Sequence, residues 1–244
     1  MAIMDVVLIL IISFVALLII YWMFFFCLAA MICFLRDKKN IFVFKSTVAE
    51  KQFKNPPTQQ KVNIKAILNA YMNGYVRYAQ SCASKLPGFR LRNFLFRKVF
   101  KVKAHKSCMF YADVEIRSPW NVKIGNSSVG KGSILDGRYG LIIGDNVNIS
   151  NNVFIWTEQH DANDPYFGGG DKNGMVAVED YAWISSRATV LPKVKVGKGA
   201  VLASNAMATK DLEPYGIYMG LPANKRGERN QDLKYTNYTN RHIW

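Results

Sequence analysis

Branched apolar residues recur at every sixth position through much of the second half of this 244-residue chain. Ile143, Ile149 and Ile155 form one run. Val178, Ile184, Val190, Val196 and Leu202 form a second, which Ala208 closes. A straight strand alternates faces every two residues and a helix repeats every 3.6, so neither accounts for one large inward residue in six. Residues two before each beat are apolar as well: Val147, Val153, Ala182, Ala188, Val194, Ala200 and Ala206, most of them small. Six residues per flat side, with a small residue at each corner, describe a triangular coil of about eighteen residues per turn, a parallel β-helix. Gly125, Gly144 and Gly197, each just after a beat, fit tight corners where a side chain would intrude. Upstream, Phe110, Ile116 and Val122 open the same beat, while Ile124-Gly125 and Val129-Gly130 blur its phase.

The series breaks once. Between Ile155 and Val178 stand Trp156-Thr157-Glu158-Gln159-His160-Asp161 and a Gly-rich loop running from Asp161 to Ala177. A repeat is a scaffold, so chemistry is sought at its exceptions. His160 is one of three histidines in the chain and the one that ends a coil beside a polar cluster.

The N-terminus has a different character. No charged residue occurs from Val6 to Leu35, and thirty helical residues reach ~45 Å, more than the ~30 Å hydrocarbon layer. A signal peptide needs a basic start and small residues before a cleavage site; here the start carries only Asp5 and the run ends Met31-Ile32-Cys33-Phe34-Leu35. A retained anchor over residues 1–36 is therefore expected. A helical hairpin re-entering the same leaflet is the alternative, because no polar turn or Pro fixes a single span. Arg36, Lys38 and Lys39 follow at once, which places the rest of the chain in the cytoplasm. Four cysteines without a Cys-x-x-Cys pair agree with a reducing compartment.

From Arg36 to Lys106 there are seventeen Lys or Arg against two acids, a balance of +15 that equals the net charge of the whole chain. A basic collar beside a cytoplasmic anchor is drawn to anionic lipid at ~1 kcal/mol per cation near the surface. Nucleic acid is the other partner such charge suggests, but no nucleic-acid module is present, and none is expected to bind. Residues 37–61 form a basic linker with the helix-stopping Asn55-Pro56-Pro57. Over 62–103, helical spacing predicts two amphipathic juxtamembrane helices. One covers Val62 to Ser84, weakened at Gly74 by up to ~1 kcal/mol relative to Ala; the other covers Phe89 to Phe100. In the second, Phe94, Leu95 and Val99 on one side and Arg90, Arg92, Arg97, Lys98 and Lys101 on the other suit a helix lying in the membrane interface; an ordinary helical pair packed on its own domain, with its lysines in water, is the other reading.

The runs Ile184-Ser185-Ser186-Arg187-Ala188-Thr189-Val190-Leu191-Pro192, Val196-Gly197-Lys198-Gly199-Ala200 and Gly220-Leu221-Pro222-Ala223, with Ser118-Pro119-Trp120-Asn121, resemble the hexapeptide-repeat acyltransferases. Within these, the chain is similar to the maltose/galactoside acetyltransferase group and to bacterial surface-polysaccharide O-acetyltransferases. The resemblance covers roughly residues 100–227. It implies a mainly β, left-handed parallel β-helix over 104–227 and a homotrimer with acetyl-CoA sites between subunits, leaving 228–244 as a tail with no function read from it.

His160 matches the family's catalytic histidine, and an imidazole with pKa ~6.5 suits removal of a hydroxyl proton at neutral pH. Glu158, Asp161 or a backbone carbonyl could orient it, and the sequence does not choose among them. Asp136 matches a position near the acceptor, with Asp161 also placed on the acceptor side; a turn-capping role for Asp136 weighs equally. For the donor, the resemblance points to Trp183, Ser186 and Ser204 beside the pantetheine arm and to Lys210 and Lys225 as coenzyme contacts. The chain departs from the pattern at Ser185, where Gly is common, and at Ala203-Ser204, which replaces Gly-Ala.

These readings converge on an O-acetyltransferase at the bacterial inner membrane, acting at its cytoplasmic face on a lipid-linked glycan or surface-polysaccharide precursor. An N-acetyltransferase acting on an amino sugar nucleotide is one alternative and a non-catalytic assembly platform another. No metal is expected, because the metal-dependent relatives on this fold need three histidine ligands and the coils offer only His105 and His160.

Overall fold

A computed structural model describes residues 2–39, 64–165, 167–168 and 173–237. The expected linker falls almost wholly outside the described residues, as does the chain after Asn237. Three helices precede the coil: α1 (Ala2–Lys39), α2 (Ile64–Ser84) and α3 (Phe89–Lys98). The rest is a parallel β-solenoid of about six turns, with strands of two to five residues in three sheets.

The inward residues stack by sheet. Ile124, Ile143, Val178 and Val196 line the first. Phe110, Val129, Ile149, Ile184, Leu202 and Tyr218 line the second. Ile116, Leu135, Ile155, Val190 and Ala208 line the third. Every residue of the six-spaced series is buried, and so are the corner residues two before each beat. Fully burying one such aliphatic side chain contributes about 1.5–3 kcal/mol, so the stacks dominate the stability of the coil. The corners are as tight as expected: a Cβ on Gly125 would lie 2.6 Å from the Gly144 carbonyl oxygen, and one on Gly197 would lie 2.7 Å from that of Leu212.

Two boundaries differ from the sequence reading. Val122 pairs with Leu141, and it is Ile124 that stacks under Ile143. The cause is a 3-10 turn, Pro119–Asn121, entered from Ser118 at φ 46°, which inserts residues at that corner. The interrupting loop ends before Ala177, because Val176–Val178 is already a first-sheet strand. Partners across the break lie 35 residues apart against 18 in the coil that follows, so the loop adds 35 − 18 = 17 residues to one coil.

A parallel coil leaves unpaired amides and carbonyls at its ends. At the far end, Asn224–Glu228 turns back and pairs antiparallel with Gly216–Met219. At the near end, side chains of α2 and α3 do the capping. The Gln80 amide donates to the Ile116 carbonyl at 3.0 Å and accepts the Ile116 N–H at 2.9 Å, as a neighbouring strand would. Arg92 donates to the Phe110 carbonyl at 2.8 Å, Asn93 to that of Cys108 at 2.6 Å and Arg97 to that of Ala104 at 2.9 Å. Two of the arginines assigned from sequence to a membrane-facing surface of α3 are thus bound to the coil, and Leu95 and Phe96 are buried against it. The face of α3 left outward carries Leu91 and Phe94.

The helix α1 divides into two parts. From Val7 to Phe24 every residue is exposed and none is charged, whereas Phe25, Ala29, Ile32 and Cys33 are buried in the domain's core. The exposed part is ~27 Å long, close to one hydrocarbon thickness. Its apolar run is long enough to cross a membrane by length and composition.

Replacing Gln80 by Leu keeps its bulk but orphans two buried backbone groups at ~1–3 kcal/mol each, so a loss of about 2–6 kcal/mol is expected. Equilibrium denaturation of the full chain in detergent checks this, with Ser81→Ala on the exposed side of α2 as the neutral comparison.

Candidate active site

The break in the repeat is built on the third sheet. Asp136 ends the strand Ile134–Asp136 with its carboxylate fully buried. Its oxygens accept the Arg138 guanidinium as a two-pronged fork at 2.9 Å each, the Arg138 amide at 3.0 Å and the Thr157 amide at 3.1 Å. Burial alone would push this carboxyl up. The Arg138 fork and the two amides more than offset that and hold it below the ordinary carboxylate range. Burial lowers the Arg138 guanidinium, but Asp136 and Glu158 outweigh this and raise it. Arg138 also forms an ion pair with Glu158. Asp136 thus has the turn-capping role that its sequence context allowed, locking the chain from Thr157 onward to the preceding coil.

The same segment is clamped from its other side. Thr157 Oγ1 accepts the Tyr139 amide at 3.1 Å, the Thr157 carbonyl accepts the Gly174 amide at 3.0 Å, and Asn173 Oδ1 accepts the Gln159 amide at 2.7 Å. His160 leaves this clamp exposed to solvent. Its Nδ1 lies 2.8 Å from the Phe167 carbonyl oxygen, and its ring stacks on Phe167 with centroids 4.2 Å apart and planes 13° from parallel. A carbonyl only accepts, so Nδ1 carries the proton and the Nε2 lone pair of the neutral ring is free. The orienting group left open by the sequence is therefore the backbone carbonyl. Glu158 is engaged by Arg138. Asp161 closes the loop on itself, accepting the Asn163 amide at 2.9 Å, while its own amide donates to Gly168 at 3.0 Å.

The residues expected from the sequence on the donor side lie elsewhere on the chain. Trp183 stands on the outer face of the second sheet, its Nε1 donating to Ser150 Oγ at 3.1 Å. With Ser186 it lines a groove of about 620 Å³ whose far wall is the C-terminal tail. The tail is fixed there: Arg229 donates to the Tyr181 carbonyl at 2.8 Å, Tyr235 packs edge-on against Tyr181, and the Asn237 amide donates to Asn146 Oδ1 at 2.9 Å. Arg229, Tyr235 and Asn237 are groove residues that sequence reasoning missed. The Asn237-Tyr238-Thr239 context carries no periodicity that would place them. Ser204 bonds Ser185 Oγ at 2.8 Å, Lys210 is exposed, and Lys225 is paired with Glu213 and Glu228 at 2.6 Å each. None of these three lines the groove, and neither does His160. Among the described residues, no group of three His, Cys, Asp or Glu is placed to hold a metal ion.

Comparison with known proteins gives a consistent result. No family model matches the chain. It is 37% identical over 79 residues to a chloramphenicol acetyltransferase of Klebsiella aerogenes, a match covering 32% of this chain and 38% of that one. It is 27% identical over 129 residues to a galactoside O-acetyltransferase of Lactococcus lactis, covering 49% and 62%. The chain superposes on a hexapeptide-repeat acetyltransferase of Vibrio cholerae solved with acetyl coenzyme A, with a TM-score of 0.57, 20% identity, and 71% of this chain and 93% of that one covered. Over part of its length the coil is similar in sequence to these acetyltransferases, and it shares its fold with the Vibrio cholerae protein. The six-residue repeat supplies the solenoid, whereas α1 and the helical cap lie at its N-terminal end. The chain spans less than two thirds of the length of the curated relatives it matches.

Asp136→Asn removes the charge that Arg138 holds, with an expected loss of about 1–3 kcal/mol. Because the folded carboxyl is held below its unfolded value of ~3.9, the advantage of the native residue is fully present above that value and fades as pH falls through the folded one. Paired denaturation curves from pH 7 down to about 3 check this: the gap between native and Asp136→Asn protein stays constant to about pH 5 and then narrows.

Proposed function

We propose that this protein is an acetyl-CoA-dependent O-acetyltransferase with His160 as general base. It transfers an acetyl group to a sugar hydroxyl of a lipid-linked glycan or surface-polysaccharide precursor. The observation that carries the reading is the Nδ1 contact of His160 with the Phe167 carbonyl, which leaves Nε2 available as base. In the reaction, Nε2 takes the hydroxyl proton as that oxygen bonds to the thioester carbonyl carbon. Collapse of the tetrahedral species breaks the carbon–sulfur bond, and the imidazolium returns the proton to the departing thiolate. The Asp136–Arg138–Glu158 cluster, founded on the buried Asp136 carboxylate, supports this by fixing the segment from which His160 projects. The groove beside Trp183 and Ser186 has the size and mixed lining to take the pantetheine arm, and Arg229 supplies a cation at its wall.

In this reading the coil is left-handed and works as a homotrimer. His160 and the Trp183 groove are separate on one chain, and a neighbouring subunit would bring the two together. The exposed apolar stretch from Val7 to Phe24 serves as an anchor in the bacterial inner membrane, with the coil at the cytoplasmic face. Confinement to that plane favours an acceptor carried on lipid over a soluble amino sugar nucleotide.

His160→Ala should keep the circular dichroism and oligomeric size of the native protein and lose roughly 10²–10⁴ in kcat for acetyl transfer. Full activity in that variant would remove His160 as the base. Subunit mixing tests the shared site. His160→Ala and Trp183→Ala proteins, each defective alone, should regain activity at about a quarter of the sites when co-assembled one to one, and none if each site lies within one chain.

A further inference from the structure

An open furrow of about 800 Å³ runs between α1 and α2, walled by Leu28, Met31 and Leu35 on one side and by Ala70, Gly74 and Tyr78 on the other. Gly74 is the informative residue. It sits in mid-helix, where glycine is a poor choice, and a Cβ there would meet no atom within 4 Å. Neither a turn nor a close backbone approach requires it. What the missing side chain does is keep the furrow deep at its centre. On the same helix Ile64, Leu68, Tyr71 and Tyr78 are exposed, so the furrow continues into an apolar stripe, and α1 continues it into the exposed stretch that ends at Phe24. Arg36 stands just past Leu35 and reaches across to Asn69 Oδ1 at 2.8 Å, bridging the two helices at the furrow's end.

We propose that this furrow holds one acyl chain of an anionic bilayer phospholipid, with its phosphate at Arg36; this rests on the membrane reading above. Charge complementarity selects that occupant. The segment from Arg36 to Lys106 carries seventeen cations against two acids, which attracts an anionic headgroup. A second copy of this chain would bring the same basic flanks and be repelled. Continuity with the exposed apolar part of α1 gives the chain a path from the bilayer into the furrow.

The test uses the full chain in nanodiscs containing phosphatidylglycerol or phosphatidylcholine with a photoactivatable group in the acyl chain, and maps labelled peptides. Phosphatidylglycerol should label residues 28–35 and 70–78 more than phosphatidylcholine, and Arg36→Gln should cut that preference roughly fivefold, the share that one surface cation gives. Gly74→Leu fills the furrow without a backbone clash and should cut labelling of 28–35 and 70–78, leaving that of 7–24 unchanged. Undiminished furrow labelling in Gly74→Leu would overturn the proposal. So would copy-to-copy disulfides through Tyr71→Cys above the native background, which would make a second chain the occupant. Absence of label at 7–24 would instead overturn the membrane reading on which the proposal rests.

Discussion

The constraint on which the rest of this structure depends is that a parallel coil cannot satisfy its own first turn. Each later coil finds its hydrogen-bond partners in the turn before it, but Ala104, Cys108, Phe110 and Ile116 have none. Gln80, Arg92, Asn93 and Arg97 supply them. Those four residues seat α2 and α3 on the coil, and α2 in turn seats the C-terminal half of α1, whose Phe25 carbonyl accepts the Tyr75 hydroxyl at 3.0 Å. The exposed apolar stretch therefore meets the coil through a packed joint. An end-capping requirement in the backbone fixes where the helix leaves the domain.

The coil was legible because its signal is periodic. Stacking demands a buried apolar residue at the same point of each side, and the series supplies one at every beat, branched from Ile143 to Leu202 and small at Ala208. Corner geometry was legible only in part. Left-handed φ recurs at Tyr181, Arg187, Lys193, Gly199 and Asn205, again six apart, yet only one of these is glycine. The stacked core holds the others in a conformation that side chains resist, so the usual glycine marker is missing. The phase slip near Val122 was visible as a blur, and its cause, a 3-10 turn after Ser118, was not.

The capping residues and the tail were not legible for a different reason. Arg92 and Arg97 look like any cations of a basic, aromatic helix, and composition cannot show that their guanidiniums point at carbonyls. Arg229, Tyr235 and Asn237 lie in a polar tail without period, and only their distant partners Tyr181 and Asn146 give them a place. Within the site, the sequence singled out His160 because it interrupts a repeat. It could not reveal that Arg138 draws Glu158 away from the imidazole, since that pairing depends on two consecutive coils being stacked.

The loop holds the His160 imidazole as the tautomer with its proton on Nδ1 and its lone pair on Nε2. With three histidines in the chain, nitrogen-15 NMR of histidine-labelled protein resolves this directly, the His160 signals being assigned by their loss in His160→Gln. In the neutral form, a protonated Nδ1 and a bare Nε2 are expected. A neutral His160 carrying its proton on Nε2 would contradict this, because the Nδ1 lone pair would then face the Phe167 carbonyl oxygen and the ring would present no base to solvent.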